Sequence, residues 1–267
     1  MTERSDTDYS NLDIPEILTG LFHPRPEYGS SPKTEGAVDV SIPVENNNIL
    51  VGGRFYTASK AAPNILFFHG NGEIASDYDE LGPIYNRMGI NFLAVDYRGY
   101  GRSGGRPTVA AMMADCHAIF EFTKAWLAEN GYGGDFIVMG RSLGSASALE
   151  LISRHKDRID GLVLESSFAR TDTLLEFLGV NASEMGLTEE KGFGNLEKIR
   201  AWDKKLLVIH AEFDQFFSFS EAQALYGACP SSQKTLLKIP GADHNDIFMQ
   251  GVDAYMAAVK ALTAAQP

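Results

Sequence analysis

The spacing of apolar and polar positions changes several times along the chain, and each change predicts an element. Val38–Val44 and Ile49–Tyr56 alternate between apolar and polar residues, which is typical of strands with one buried face. The residues between them, 45–48, read Glu-Asn-Asn-Asn and favour a turn. The pattern therefore predicts an antiparallel hairpin at the start of the folded region.

Beyond this hairpin, short apolar runs alternate with longer amphipathic segments. The apolar runs predict buried strands at Asn64–Phe68, Asn91–Val95, Asp135–Met139, Gly161–Leu164, Lys205–His210 and Lys234–Ile239. The amphipathic segments predict helices at Asp77–Met88, Thr108–Glu129, Leu143–Arg154, Ser220–Tyr226 and Asp246–Leu262. Strand–helix alternation produces βαβ units with right-handed crossovers. We therefore predict an α/β fold, with a mostly parallel central sheet and helices on both faces.

Two segments depart from this alternation. Residues 1–35 are rich in Pro, Ser, Asp and Tyr, and they predict an irregular leader with a short helix near Ile14–Leu21. Residues 168–203 lie between two predicted strands without a strand-like run. A loop of this length is usually functional or has structure of its own, so it is either a lid or a long surface connection. We predict a single domain over residues 36–267.

Composition and charge exclude several classes of protein. The chain has 267 residues, and 35 acidic against 23 basic residues give a formal net charge of −12. Nucleic acids and anionic membrane surfaces both select clustered Lys and Arg, which this chain lacks. No apolar run approaches the ~20 residues of a membrane span, and Met1–Ser10 is polar, unlike a secretory signal. Cys116 and Cys229 lie in no recognisable disulfide or metal motif, so we predict that both are free thiols in a reducing compartment. The expected location is therefore the cytoplasm.

Residues Gly140–Gly144 read G-R-S-L-G and match the pattern G-x-S-x-G. The match alone is weak, but it lies between a predicted strand and a predicted helix, the setting that a nucleophile elbow requires. Ser142 would stand at a sharp, strained turn. A side chain at Gly140 or Gly144 would block the close approach of strand and helix. Ser142 is therefore the candidate nucleophile.

The residues His69–Gly72, read H-G-N-G, follow another predicted strand. Glycines let the backbone turn with its N–H groups outward, and such donors stabilise the oxyanion of acyl transfer. The N–H groups of Asn71 and Leu143 are the natural pair for an oxyanion hole. His69 itself is expected to shape this loop rather than to act as a base.

Asp214 and His244 each follow the carboxyl end of a predicted parallel strand, where ligands bind in open α/β sheets. A serine hydroxyl needs a base to take its proton, and the base needs an acid to orient it. The chain order Ser142, Asp214, His244 matches that of one class of hydrolase. Other carboxylates compete with Asp214 for the role of the acid: Glu165, Glu212, Asp243 and Asp246.

Two other kinds of site are disfavoured. Gly99–Gly104 matches the dinucleotide pattern G-x-G-x-x-G, but three residues separate it from its strand and Gly105-Arg106-Pro107 follow where a helix should begin. We interpret it as a glycine-rich turn beside the site. The histidines show no metal-ligand spacing and there is no C-x-x-C, so neither a metal nor a cofactor is expected.

Taken together, these motifs resemble the alpha/beta-hydrolase-fold superfamily, and most of all its small intracellular serine hydrolases. The matching segments are His69–Gly72, Asp96–Gly104, Gly140–Gly144, Glu165–Phe168, Asp214 and Gly241–Asp246. The resemblance implies Ser142 as nucleophile, Asp214 as acid, His244 as base, and Asn71 and Leu143 as oxyanion donors.

The chain departs from the family pattern at two places near the acid. His210-Ala211 stands where the family usually has His-Gly, and Phe216-Phe217-Ser218 where it often has Val-Pro. Both changes alter the pocket wall near Asp214. We expect a cytoplasmic hydrolase that cleaves a small-molecule ester or thioester through an acyl-enzyme. A peptidase or amidase, or a non-catalytic binding protein on the same fold, are the alternatives.

Overall fold

A mixed β-sheet runs through the protein. Over residues 7–28 and 36–264, which the computed structural model describes, it has eight strands. The strands are β1 Ala37–Val44, β2 Ile49–Tyr56, β3 Asn64–Phe68, β4 Asn91–Val95, β5 Phe136–Arg141, β6 Gly161–Glu165, β7 Lys205–Ala211 and β8 Lys234–Ile239. Their order across the sheet is β1-β2-β4-β3-β5-β6-β7-β8. Every predicted strand is present.

The sheet is antiparallel at one edge and parallel elsewhere. β1 pairs with β2, and β2 with β4, in antiparallel register. The neighbours from β4 to β8 all pair in parallel, so their carboxyl ends meet at one edge. The predicted hairpin and the mostly parallel sheet are both confirmed.

Helices cover both faces of the sheet. They are α1 Pro15–Leu21, α2 Gly82–Arg87, α3 Val109–Glu129, α4 Gly144–His155, α5 Thr171–Phe177, α6 Asn195–Ile199, α7 Phe219–Ala228 and α8 Ile247–Thr263. β3, β4, β5 and β6 are buried along their whole length, as strands covered on both faces must be. Within the described residues, no helix combines the length and the apolarity needed to cross a bilayer.

One predicted helix is divided. The pattern of Asp77–Met88 predicts one helix, whereas the structure has a 3-10 turn at Ala75–Asp79 followed by α2. Pro83 explains the break, because it lacks the N–H that a continuous helix needs and is accepted only in the first turn of a new one.

The leader is more ordered than its composition suggests. The predicted short helix is present as α1, and a 3-10 turn precedes it at Tyr9–Leu12. Leu12, Ile17 and Leu21 are buried in the same apolar cluster as residues of α3 and α4. The described part of the leader is therefore packed into the core, because its apolar residues recur at helical spacing within an otherwise polar segment.

Candidate active site

Ser142 lies at the turn between β5 and α4. Its φ is +51°, in the left-handed region that a non-glycine residue occupies only at a cost of about 1–3 kcal/mol. The Ser142 N–H donates to the carbonyl of Glu165 at 2.8 Å, which ties the turn to the neighbouring strand. The residue is 8% exposed. The strained turn predicted for a nucleophile elbow is therefore present.

Glycines on both sides make this turn possible. A Cβ at Gly140 would lie 2.3 Å from the carbonyl oxygen of Gly144, and a Cβ at Gly144 would lie 2.1 Å from that of Phe68. Both distances are far shorter than van der Waals contact. The structure thus gives the physical reason for the two glycines of the motif: α4 and β3 approach the turn too closely for side chains.

Ser142, His244 and Asp214 form a hydrogen-bonded chain. His244 Nε2 lies 3.0 Å from Ser142 Oγ, and His244 Nδ1 lies 2.7 Å from Asp214 Oδ2. Because a carboxylate only accepts, Nδ1 carries the proton and Nε2 is free to accept from the serine hydroxyl. All three side chains are buried or nearly so. A basic nitrogen facing a serine oxygen is the arrangement that activates a nucleophile.

Asp214 is held from its other side by the backbone. Its Oδ1 accepts from the N–H groups of Phe216 and Phe217 at 2.9 and 2.8 Å. Burial opposes ionisation, but the hydrogen bonds from His244 and from the Phe217 N–H outweigh it, so the pKa of Asp214 is lowered. The carboxylate is thus fixed in orientation and kept charged.

A second histidine, His210, lies behind Asp214, a role that the sequence analysis did not assign to it. His210 Nε2 donates to the Phe217 carbonyl at 2.7 Å and lies 3.5 Å from Asp214 Oδ2. Burial lowers the pKa of His210, which favours its neutral form. His210 therefore braces the loop that carries Asp214. Its position at the end of β7, four residues before the acid, is the only signal that could have indicated this role.

The competing carboxylates are engaged elsewhere. Glu165 accepts from Arg141 Nε at 3.1 Å and from Tyr255 Oη at 2.5 Å, and burial raises its pKa.

The other three carboxylates also have partners of their own. Asp243 accepts from the backbone N–H groups of residues 245 and 246. Glu212 pairs with Lys238 at 2.9 Å. Asp246 accepts from the N–H of Asp243. Of the candidates, Asp214 is the one that contacts His244.

Of the two residues predicted to bind an oxyanion, Leu143 directly follows Ser142, and Asn71 lies in the loop after β3. Leu143 has helical dihedrals immediately before α4, so its N–H belongs to the positive end of that helix. The side chain of Asn71 is turned away to the leader, where its Oδ1 accepts from the His23 N–H at 2.8 Å and from Tyr100 Oη at 2.9 Å.

The glycine-rich segment Gly99–Gly104 is a turn that packs against the leader. The Gly101 N–H donates to the Arg25 carbonyl, and the Glu27 N–H donates to the Gly101 carbonyl. α3 begins only at Val109, so no helix starts within the motif as a dinucleotide site would require. The structure agrees with the interpretation as a turn.

The insert 168–203 approaches the triad through aromatic rings. The Phe177 ring at the end of α5 lies 4.6 Å from that of Phe216, and the Phe216 ring lies 4.5 Å from that of His244. Phe177 is 46% exposed, whereas Leu174 and Leu175 of the same helix are buried in the core. We name the rings of Phe177, Phe216 and Phe217 the aromatic wall.

Comparisons with known proteins show which families this chain is similar to. The family model described as Serine aminopeptidase, S33 matches residues 59–188. The chain is similar to the alpha/beta hydrolase domain-containing protein aho-3 of Caenorhabditis elegans, at 31% identity over 73% of this chain and 56% of that protein. It is also similar to human alpha/beta hydrolase domain-containing protein 17B, at 29% identity over 72% of this chain and 65% of that protein. The chain thus spans less than two thirds of these two relatives.

Solved structures share the fold. An esterase of Pyrococcus furiosus, Pf2001, superposes with a TM-score of 0.72 at 21% identity, covering 90% of this chain and 97% of the esterase. A soluble variant of the monoglyceride lipase of Saccharomyces cerevisiae superposes with a TM-score of 0.67 at 16% identity, covering 89% and 99%. At these identities the likeness establishes the architecture.

Proposed function

Because the chain belongs to the alpha/beta-hydrolase superfamily, we propose that it is a serine hydrolase that cleaves a carboxylic ester or thioester through an acyl-enzyme. The observation that carries the proposal is the hydrogen-bonded chain from Ser142 Oγ through the His244 imidazole to Asp214. Fold alone does not fix chemistry, so the proposal depends on this site.

The geometry supports the following reaction. Ser142 Oγ attacks the substrate carbonyl carbon while its proton moves to His244 Nε2. Asp214 keeps the imidazole in the required tautomer and stabilises the imidazolium. The N–H groups of Asn71 and Leu143 receive the negative oxygen. His244 then protonates the leaving alcohol or thiol, and a water molecule attacks the acyl-serine by the same steps in reverse.

The first experiment asks whether Ser142 is the nucleophile. A fluorophosphonate probe should label the wild-type protein, and Ser142→Ala should remain folded, unlabelled and without esterase activity. Loss of one member of such a triad normally costs several orders of magnitude in kcat. Retention of more than about a tenth of the activity would exclude Ser142. A non-catalytic binding protein would leave even the wild-type chain unlabelled.

A peptidase or amidase is the second candidate, and the description of the matching family model favours it. Ester and amide hydrolysis use the same triad, so the leaving group distinguishes them. Matched p-nitrophenyl esters and p-nitroanilides of one acyl group should be compared by kcat/KM. We expect the ester series to be hydrolysed; efficient turnover of aminoacyl anilides would favour the peptidase.

We also propose that the insert 168–203 borders the entrance to the Ser142 pocket. The aromatic wall supports this, because it joins an exposed ring of the insert to the catalytic imidazole. Each buried methylene is worth about 0.8 kcal/mol, or roughly fourfold in affinity. Phe177→Ala should therefore raise KM for long acyl esters more than for acetate.

Leu50→Ala is the matched control for that experiment. Leu50 is 54% exposed, similar to Phe177, but it lies on β2 in the hairpin at the opposite end of the sheet. This control should leave both KM values unchanged. Equal effects of Phe177→Ala on short and long esters would show that the insert is a surface connection.

A cytoplasmic location is a further proposal. It is supported by the two buried free thiols, Cys116 and Cys229, which are typical of a reducing compartment.

A further inference from the structure

Arg141, the residue before the nucleophile, contacts three separate parts of the active site. Its Nη1 pairs with Glu73, its Nε donates to Glu165 Oε1 at 3.1 Å, and its Nη2 donates to the His244 carbonyl at 2.8 Å. Nothing in the G-x-S-x-G pattern requires an arginine there. The side chain is 11% exposed, so these contacts lie largely out of water.

The contact with Glu73 connects Arg141 to the loop His69–Gly72, which we name the oxyanion loop. Glu73 Oε2 accepts from the Gly70 N–H at 2.7 Å and from Tyr78 Oη at 2.6 Å. Gly70 is adjacent to Asn71, and a Cβ at Gly70 would lie 2.7 Å from Arg141 Nη1. The guanidinium thus fits directly against the loop that presents the Asn71 N–H.

The contact with the His244 carbonyl leads to the base. Within the described residues, the main-chain groups of His244 are held on two sides: the carbonyl by Arg141 and the N–H by Gln215 Oε1 at 3.1 Å. Both bonds fix the backbone from which the imidazole projects. Because Arg141 follows Gly140 and precedes Ser142, its own backbone carries the nucleophile.

The third contact anchors the guanidinium. Glu165 accepts from Arg141 through one oxygen and from Tyr255 through the other, so it is held between β5 and α8. A planar guanidinium with donors in several directions can serve three acceptors at once, whereas an ammonium ion is a compact point charge that cannot reproduce this fork.

We propose that Arg141 is a positioning residue that sets the oxyanion loop and the base relative to Ser142. The inference rests on the proposed function, since it assigns the geometry of that same reaction. A displacement of about 1 Å in such a site can lower the rate by a hundredfold. The side chain acts on the reaction through the backbone of residues 70–71 and 244 and does not touch the substrate.

The test compares Arg141→Lys with Arg98→Lys. The Arg98 side chain is also 11% exposed, and it pairs with Asp115 and Glu45, outside the active site. Both variants replace a semi-buried guanidinium, and thermal unfolding reports the loss of stability in each. We expect Arg141→Lys to lower kcat and the rate of fluorophosphonate labelling by about 10- to 100-fold, with KM changed by less than about threefold. Arg98→Lys should keep the wild-type kcat.

Glu73→Gln provides a second variant, which keeps the size of the side chain and removes the negative charge that faces Arg141 Nη1. It should lower kcat less than Arg141→Lys does, and the double variant should fall no further than Arg141→Lys alone, because residues of one network do not act additively. The kcat of Glu73→Gln tests the positioning role of Arg141 even if Arg141→Lys does not fold.

Three results would overturn the proposal. They are a wild-type kcat in folded Arg141→Lys, a wild-type kcat in Glu73→Gln, and multiplicative effects in the double variant. A wild-type protein that the probe does not label would instead overturn the proposed hydrolase function, so the two failures are distinguishable.

Discussion

Replacement of Asp214 by Asn should invert the hydrogen bonding of the triad without changing its shape. Asp214 Oδ1 accepts from two backbone N–H groups, those of Phe216 and Phe217. An asparagine must keep its carbonyl oxygen at that position, which turns its NH₂ group toward His244 Nδ1, 2.7 Å away in the wild type. Since an NH₂ group only donates, Nδ1 must become the acceptor.

The expected loss of kcat in Asp214→Asn follows from this change of tautomer. With Nδ1 accepting, the imidazole proton moves to Nε2, which lies 3.0 Å from Ser142 Oγ and can no longer take the hydroxyl proton. In Ser-His-Asp enzymes the equivalent change lowers kcat by about 10⁴. That factor corresponds to about 5 kcal/mol of transition-state stabilisation. We expect a loss of the same order here.

The assay is steady-state hydrolysis of a p-nitrophenyl ester, with folding checked by circular dichroism. Asp243→Asn is the matched control, because Asp243 lies in the loop of His244 and its side chain accepts from the backbone N–H groups of residues 245 and 246. It should keep activity within a few fold. If folded Asp214→Asn retained more than a tenth of the wild-type kcat/KM, Asp214 would not be the acid, and Glu165→Gln would be the next variant to measure.

Two further predictions concern stability. Gly144→Ala should prevent folding or strongly lower the melting temperature, because its Cβ would meet a carbonyl oxygen at 2.1 Å; Gly133→Ala, with nothing within 4 Å, should melt like the wild type. Burial opposes the ionisation of Glu150, but the hydrogen bond from His117 and the charge of Lys198 outweigh this effect, so the pKa of Glu150 lies below the ordinary 4.5. The ionised carboxylate therefore contributes its full stabilisation above pH 4.5, and this contribution is lost as the pH falls below that value. The difference in melting temperature between the wild type and Glu150→Gln should therefore narrow below about pH 4.5, and a constant difference from pH 7 to pH 3 would contradict this reasoning.

The local pattern predicted the strands, most of the helices, and Ser142 as the candidate nucleophile. Alternating and continuous apolar runs placed each strand within about two residues, because burial on one or both faces imposes those periods directly on the sequence. The two glycines around Ser142 likewise indicate, within a few residues of sequence, that α4 and β3 approach the turn closely. The packing of the leader was harder to predict, since its few apolar residues are buried by contacts with α3 and α4, which are distant in the sequence.

The tertiary structure decided which groups meet at the carboxyl edge of the sheet. Parallel strands bring Glu165, Glu212, Asp214 and the loop of residues 241–246 to that edge together, so the sequence leaves several acids possible. Asp214 meets His244 across 30 positions, and Arg141 meets the His244 carbonyl across 103, through contacts that depend on loop conformation and on strand order. A hydrogen bond requires placement within a few tenths of an ångström, and periodicity along a chain carries no information at that scale.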